Sequence, residues 1–204
     1  MKSVLIYAFD YLNSEKLSLQ SAVNDVHLIW TLAISKYQLV PEDIMIIGSI
    51  DLKGKMIPWR KRCFFDLDYD YHLVVKNFLK DTTQLLLYFT GHGTREGLFL
   101  YGDDERQKSM AELIPERFLL SADKYKTWII ADICYSHLFV KDYLENVSIF
   151  IPSNFEHPAA LSTQRGSIFT INIVRKLIHE SENVFIWLRE EQYCYRDWYT
   201  LPFS

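Results

Sequence analysis

The chain has 204 residues, of which 49% are hydrophobic and 24% are charged, a composition typical of a folded globular protein, and its length predicts a single domain over 1–204. The net charge of −4 argues against a nucleic-acid-binding protein, which would usually present a basic stripe. No run of apolar residues approaches the ~18 that a membrane-spanning helix requires, so we predict no membrane segment.

Short apolar strands alternate with amphipathic helices along the chain. Strands are indicated by β-branched and aromatic runs, and helices by apolar residues at spacings of three and four. In chain order we predict a strand over 2–9, a helix over 17–37, a strand over 44–47, a loop over 50–68, a helix over 71–79, strands over 84–90 and 97–101, a helix over 109–121, strands over 126–132, 147–151 and 159–162, a helix over 167–180 and a strand over 183–188. This alternation predicts an α/β fold, a three-layer αβα sandwich with a mostly parallel central sheet.

The cysteines and the N-terminus indicate the compartment. Cys63, Cys134 and Cys194 make an odd number without framework spacing, which predicts free thiols in a reducing environment. The first ten residues are apolar only briefly and lack a small-residue cleavage site, so they predict a strand and not a signal peptide. We therefore expect a cytoplasmic protein.

Two predicted strands end at side chains that can react. The strand over 84–90 is followed by His92 between two glycines, and the strand over 126–132 is followed by Cys134. Chemistry in open α/β sheets collects at the carboxyl ends of strands. A thiol and an imidazole there are suited to nucleophilic catalysis, in which the thiolate attacks and the imidazole moves protons. A buried structural cysteine is the alternative for Cys134.

Four segments of the chain, in order, resemble the caspase-like cysteine peptidases, and the metacaspases among them. Residues 19–26 are similar to the metacaspase pattern L-x-G-C-x-N-D, and residues 88–93 to Y-S-G-H-G. Residues 132–136 are similar to D-x-C-H-S-G, and residues 162–170 to a stretch of the small subunit. The separation of 42 residues between His92 and Cys134 is near the ~50 of caspase-type peptidases.

The resemblance implies a caspase-like fold and an endopeptidase that cleaves polypeptides after Arg or Lys. Cys134 would be the nucleophile, and His92 the general base and acid. The backbone N–H groups of Gly93 and Cys134 would form the oxyanion hole, where loss of one donor costs ~10²–10³ in rate in other enzymes. His137, close after Cys134, is an alternative base or a surface residue.

The resemblance also implies a pocket for the substrate side chain. Asp25 and Asp132 match carboxylates that line an acidic specificity pocket in metacaspases, and Thr90 matches the hydroxyl beside them. Carboxylates can hold a guanidinium bidentately. The alternatives are a solvated helix residue for Asp25 and a turn cap for Asp132.

The chain departs from the family at its calcium-binding stretch and its linker. A calcium site needs about six to eight oxygens, and the acidic residues after His92 are few, namely Glu96, Asp103, Asp104 and Glu105. We therefore predict no cofactor and no metal. The linker over about 139–158 is short, which predicts a monomer without a processing loop. A catalytically inactive caspase-fold scaffold is the alternative function, and a nucleotide-binding domain lacks its glycine-rich loop.

Overall fold

The structure, a computed structural model, describes residues 1–55, 57, 62–63, 71–102, 104–120, 126–143, 147–152, 162–163 and 165–180. The predicted strand over 183–188 and the first three residues of the predicted strand over 159–162 lie outside the described residues. Asp103 and Cys194 also lie outside them. The single domain over 1–204 therefore stays a prediction.

A parallel sheet of six strands forms the centre of the described chain. The strands are β1 Lys2–Ala8, β2 Ile44–Ile47, β3 Arg62–Cys63, β4 Gln84–Thr90, β5 Phe99–Tyr101, β6 Arg106–Lys108, β7 Lys126–Asp132, β8 Ser148–Phe150, β9 Ser162–Thr163 and β10 Gly166–Ser167. The sheet has the order β3-β2-β1-β4-β7-β8, and neighbouring strands pair in parallel throughout. The strand pairs β5–β6 and β9–β10 are short and antiparallel.

Helices cover both faces of this sheet, which confirms the predicted α/β sandwich. They are α1 Ser21–Thr31, α2 Tyr71–Phe78, α3 Met110–Leu113, α4 Arg117–Leu120, α5 Ser136–Val140 and α6 Ile168–Glu180. Alternate residues of β1 point to opposite faces, so that Val4 and Ile6 pack with α1 and α6, whereas Leu5 and Tyr7 pack with the other four helices. Burial on both faces explains why the central strands are continuously apolar.

The first predicted helix begins later than the pattern indicated. The prediction placed it over 17–37, but α1 begins at Ser21 and is followed by a wider turn over Leu32–Lys36. Residues before α1 form a loop because the Leu19 N–H donates to the Asp10 carbonyl at 2.8 Å, which holds this segment against the end of β1. Apolar spacing alone does not report such a long-range bond.

Two further predictions were wrong for local reasons. The helix predicted over 109–121 is divided into α3 and α4, because Ile114 is extended, with φ −120° and ψ 132°, before Pro115. Proline disfavours the helical conformation for the residue that precedes it. The loop predicted over 50–68 contains β3, a strand of two residues that pairs with Ile46 and Ile47. A strand that short leaves no periodic signal.

Candidate active site

The carboxyl ends of two neighbouring strands bring His92 and Cys134 to one edge of the sheet. In the β4–β7 pair Thr90 lies opposite Asp132, and the two predicted catalytic residues each follow two positions later. Backbone contact continues beyond the strands, because a Cβ atom on Gly93 would lie 2.0 Å from the Cys134 carbonyl oxygen. Glycine alone allows so close an approach. Both predicted catalytic residues therefore lie in the crevice at the strand ends.

The His92 ring is held in one orientation by a backbone carbonyl. Its Nε2 atom lies 2.7 Å from the Leu17 carbonyl oxygen. Because a carbonyl oxygen can only accept, Nε2 carries the proton and donates. In the neutral ring Nδ1 then keeps its lone pair and can accept a proton. The loop before α1 thus fixes which nitrogen of His92 keeps its lone pair.

The direction of the Gly93 backbone follows from its pairing with Phe99. Gly93 pairs with Phe99 in an isolated antiparallel bridge, and the hydrogen bonds of this bridge are made by the residues on either side. In such a non-hydrogen-bonded pair, the N–H and C=O groups point away from the partner strand. The Gly93 N–H is therefore directed away from the β5–β6 hairpin.

Cys134 lies in a sharp turn between β7 and α5. The next residue, Tyr135, has φ 53°, a left-handed conformation that is uncommon for a residue with a side chain. Cys134 is a free cysteine and is half-buried, so it is not enclosed in the core as a structural cysteine usually is. The Tyr135 hydroxyl accepts a hydrogen bond from Arg95 Nε at 3.1 Å, which links the segments that follow the two reactive residues.

A buried polar cluster, which we call the acidic cluster, lies immediately before the reactive residues. It combines side chains from α1, β4, β7, β10 and α6, namely Asp25, Thr90, Asp132, Ser167 and Thr170. All five are buried, with Asp25 at 0% exposure and Asp132 at 4%. The three predicted pocket residues are therefore close together, and neither the solvated helix residue nor the turn cap describes the two carboxyls.

Hydrogen bonds fix part of each carboxyl group in the acidic cluster. Asp25 Oδ1 accepts from the Ser167 N–H at 2.8 Å, and Thr90 Oγ1 lies 3.5 Å from Asp25 Oδ2. Asp132 Oδ2 accepts from Thr170 Oγ1 at 2.5 Å. Asp132 Oδ1 is buried and accepts no hydrogen bond from the described residues. This atom is thus a buried carboxylate oxygen that the described residues leave without a hydrogen bond of good geometry.

The acidic cluster contains two acids and lacks a compensating cation among the residues that the structure describes. Burial raises the pKa of Asp25 to about 8, and repulsion from Asp132 adds to this shift. Burial also raises the pKa of Asp132 to about 6, although the nearby Ser167 and Thr170 hydroxyls oppose this shift. The pair therefore keeps a proton near neutral pH, and a bound cation would replace that proton.

The acidic cluster predicts a falling stability as the pH rises. In the unfolded chain both carboxyls ionise near pH 4, whereas in the folded chain the pKa of Asp132 is raised to about 6 and that of Asp25 to about 8. Between these values the folded state binds more protons, so the free energy of unfolding decreases with increasing pH. We expect the urea midpoint of the unmodified protein to decrease from pH 5 to pH 8, and Asp25→Asn to reduce this slope.

Exposed Asp81 provides the matched control for that titration, since Asp81→Asn removes a carboxylate that is in contact with solvent. Its urea midpoints should follow those of the unmodified protein at each pH. A difference between Asp25→Asn and the unmodified protein that is the same at pH 5 and pH 8 would contradict the buried-proton interpretation.

Several residues that shape this site were not predicted from the sequence. Tyr11 and Leu17 contact His92, and Thr170 joins Asp132 to the buried Tyr88 hydroxyl, which lies 2.7 Å from Thr170 Oγ1. Burial raises the pKa of Tyr88, so this phenol stays protonated. Because Thr170 Oγ1 donates its one proton to Asp132, the Tyr88 hydroxyl is the donor to Thr170. Tyr11 could have been proposed as a site residue from the sequence, because it lies just after the first predicted strand. The Leu17 contact uses a backbone carbonyl, for which residue type gives no signal.

Neither a cluster of metal ligands nor a membrane-spanning helix occurs within the described ranges. No group of three or more His, Cys, Asp or Glu side chains there could hold a metal ion. No helix there combines the length and the apolar composition that crossing a bilayer requires.

Comparison with known proteins shows the fold of this chain. The sequence matches no protein-family model and no curated protein. Among solved structures, the chain is similar to caspase-1 from Spodoptera frugiperda, with a TM-score of 0.57 and 11% sequence identity. The match covers 87% of this chain and 70% of the caspase chain. The chain thus has a caspase-like fold.

Proposed function

We propose that this protein is a cysteine endopeptidase of metacaspase type, which cleaves polypeptides after Arg or Lys. One observation carries the proposal: Thr90 and Asp132 of the buried acidic cluster each lie two residues before His92 and Cys134 on paired strands. A reactive thiol, a base and a pocket for a cation are therefore adjacent. The similarity in fold to a caspase supports the class of reaction.

In the proposed reaction, His92 accepts the thiol proton of Cys134 at Nδ1, the nitrogen that the Leu17 contact leaves unprotonated. The thiolate attacks the substrate carbonyl, and the oxyanion that forms is stabilised by the N–H groups of Gly93 and Cys134. His92 then protonates the leaving amine, and water hydrolyses the thioester along the same route. This division of roles needs neither a metal ion nor a cofactor.

In the proposed specificity, the positive side chain of the substrate enters the acidic cluster. The Asp132 Oδ1 atom has no donor among the described residues, and a guanidinium or ammonium group would supply one. Binding would release the proton that the carboxyl pair keeps near neutral pH. Ser167 and Thr170 hold the carboxyls, so the segment from β10 to α6 has to move when the substrate enters.

The proposal is tested with fluorogenic peptides that end in Arg, Lys or Asp before the reporter group. We expect cleavage after Arg and Lys but not after Asp, at the same rate with calcium or with a chelator. Size-exclusion chromatography of the active sample should show a monomer. If the folded protein cleaves none of the peptides under any condition, the peptidase is rejected in favour of the inactive caspase-fold scaffold.

A further inference from the structure

Tyr11 connects the end of β1 to the backbone of His92. It is 1% exposed and has φ 52°, an uncommon left-handed conformation that turns the chain at this point. Its hydroxyl oxygen accepts a hydrogen bond from the His92 N–H at 3.0 Å, and the same hydroxyl donates to the Leu100 carbonyl at 2.8 Å. A single buried hydroxyl thus joins the His92 loop to β5.

These bonds form a closed set of three. The Leu100 N–H donates to the His92 carbonyl at 3.0 Å, so that both backbone groups of His92 are linked to Leu100, one directly and one through Tyr11. The Tyr11 ring also lies against the imidazole, with 4.9 Å between the ring centroids and a tilt of 41°. Tyr11 therefore contacts His92 at its backbone and at its ring.

His92 needs this support because glycines precede and follow it. Gly91 and Gly93 have the largest conformational freedom of any residue, and a segment built on them does not orient a side chain by itself. Gly91 also makes room for the support, since a Cβ atom there would lie 2.8 Å from the Tyr11 hydroxyl. Tyr11 begins the loop that leads to Leu17, and the Leu17 carbonyl accepts a hydrogen bond from the imidazole Nε2.

We propose that Tyr11 is a positioning residue for His92, which fixes the imidazole relative to the Cys134 thiol without taking part in the chemistry itself. The inference rests on the proposed Cys134–His92 pair. A displacement of about 1 Å in a reacting group can cost ~10² in rate. Loss of the Tyr11 hydroxyl should therefore reduce turnover and leave substrate binding unchanged, because Tyr11 packs on the face of the sheet opposite to α1 and α6, which carry Asp25 and Thr170.

The test compares Tyr11→Phe with Tyr7→Phe. Both variants keep the ring and lose one buried hydroxyl, because Tyr7 donates to the Leu113 carbonyl at 2.7 Å and is 0% exposed. Tyr7 makes this bond with the last residue of α3. We expect Tyr11→Phe to lower kcat by about 10- to 100-fold with KM unchanged, while Tyr7→Phe retains the kcat of the unmodified protein. Thermal denaturation verifies that both variants fold.

A second readout does not depend on a peptide substrate. The rate at which iodoacetamide alkylates Cys134, followed by peptide mass spectrometry, is measured from pH 5 to pH 9 for both variants and for His92→Ala. We expect Tyr11→Phe and His92→Ala to be alkylated severalfold more slowly than the unmodified protein at pH 6, and at nearly the same rate as the unmodified protein at pH 9. Tyr7→Phe should keep the profile of the unmodified protein.

The outcomes separate the two proposals. If Tyr11→Phe matches Tyr7→Phe in kcat and in the alkylation profile, the positioning role is rejected and the peptidase stands. If His92→Ala leaves both turnover and the alkylation profile unchanged, the Cys134–His92 pair is rejected, and the role of Tyr11 is rejected with it.

Discussion

Replacing Cys134 with alanine is expected to abolish peptide hydrolysis while the protein stays folded. The variant lacks the sulfur that forms the thioester, and removal of a catalytic nucleophile costs ~10⁴-fold or more in other hydrolases. The structural cost is small, because Cys134 is half-buried in the turn beyond β7 and lies outside both apolar clusters. The measurement is kcat/KM for an Arg peptide, with far-UV circular dichroism for the fold.

Two histidines near Cys134 provide a matched comparison for the base. His92 is oriented by the Leu17 carbonyl, whereas His137 lies on α5, three residues after the thiol, and burial lowers its pKa. We expect His92→Ala to lose about as much activity as Cys134→Ala, since residues that act as a unit are not additive. His137→Ala should retain most of the activity. If His137→Ala is the inactive variant, the base has been assigned to the wrong histidine.

The sheet and the strand ends could be predicted from the sequence because both have a local signal. Strands that are buried on both faces are continuously apolar, as 84–90 and 126–132 are. Parallel strands end at the same edge, so a His and a Cys that each follow such a strand are brought together. The resemblance to metacaspases added Asp25, which lies 65 residues before Thr90 in the sequence and 3.5 Å from it in the structure.

The contacts that orient the site could not be predicted, since they join distant segments through the backbone. The Leu17 carbonyl is 75 residues from His92, and the Ser167 N–H is 142 residues from Asp25. Every residue has a backbone C=O, and every residue other than proline has a backbone N–H, so residue type does not reveal which one will contact a side chain. Residue spacing likewise did not show where α1 begins. The hydrogen bond from the Leu19 N–H to the Asp10 carbonyl keeps the preceding residues out of the helix.

Neutralising Asp25 or Asp132 is expected to remove the preference for a charged substrate. Truncating one partner of a buried charge pair costs ~2–5 kcal/mol in interfaces, which corresponds to about 30-fold or more, since each 1.4 kcal/mol is tenfold. We therefore expect Asp132→Asn and Asp25→Asn to lower kcat/KM for Arg peptides by at least about 30-fold. The measurement is the ratio of kcat/KM between an Arg peptide and its uncharged citrulline analogue, which should fall toward unity.

Asp10 provides the buried control for this experiment. It is 1% exposed, burial raises its pKa, and it accepts from the Asp51 N–H at 2.6 Å, but it does not belong to the acidic cluster. Asp10→Asn should leave the Arg-to-citrulline ratio unchanged, whatever its effect on the rate. A ratio that falls as far in Asp10→Asn as in Asp132→Asn would show a general electrostatic effect and would reject the pocket.

Stability distinguishes a binding pocket from a structural network at the same two carboxyls. If the acidic cluster served the fold alone, each Asn variant would lose a favourable interaction and unfold more easily. An empty cation pocket has the opposite effect: its two carboxyls destabilise the fold, because the two buried acids repel each other and one must keep a proton. Removal of one carboxyl from such a pocket therefore raises stability. At pH 8 we therefore expect Asp25→Asn to raise the urea midpoint while it lowers activity toward Arg peptides, an opposition typical of sites whose groups are arranged for binding.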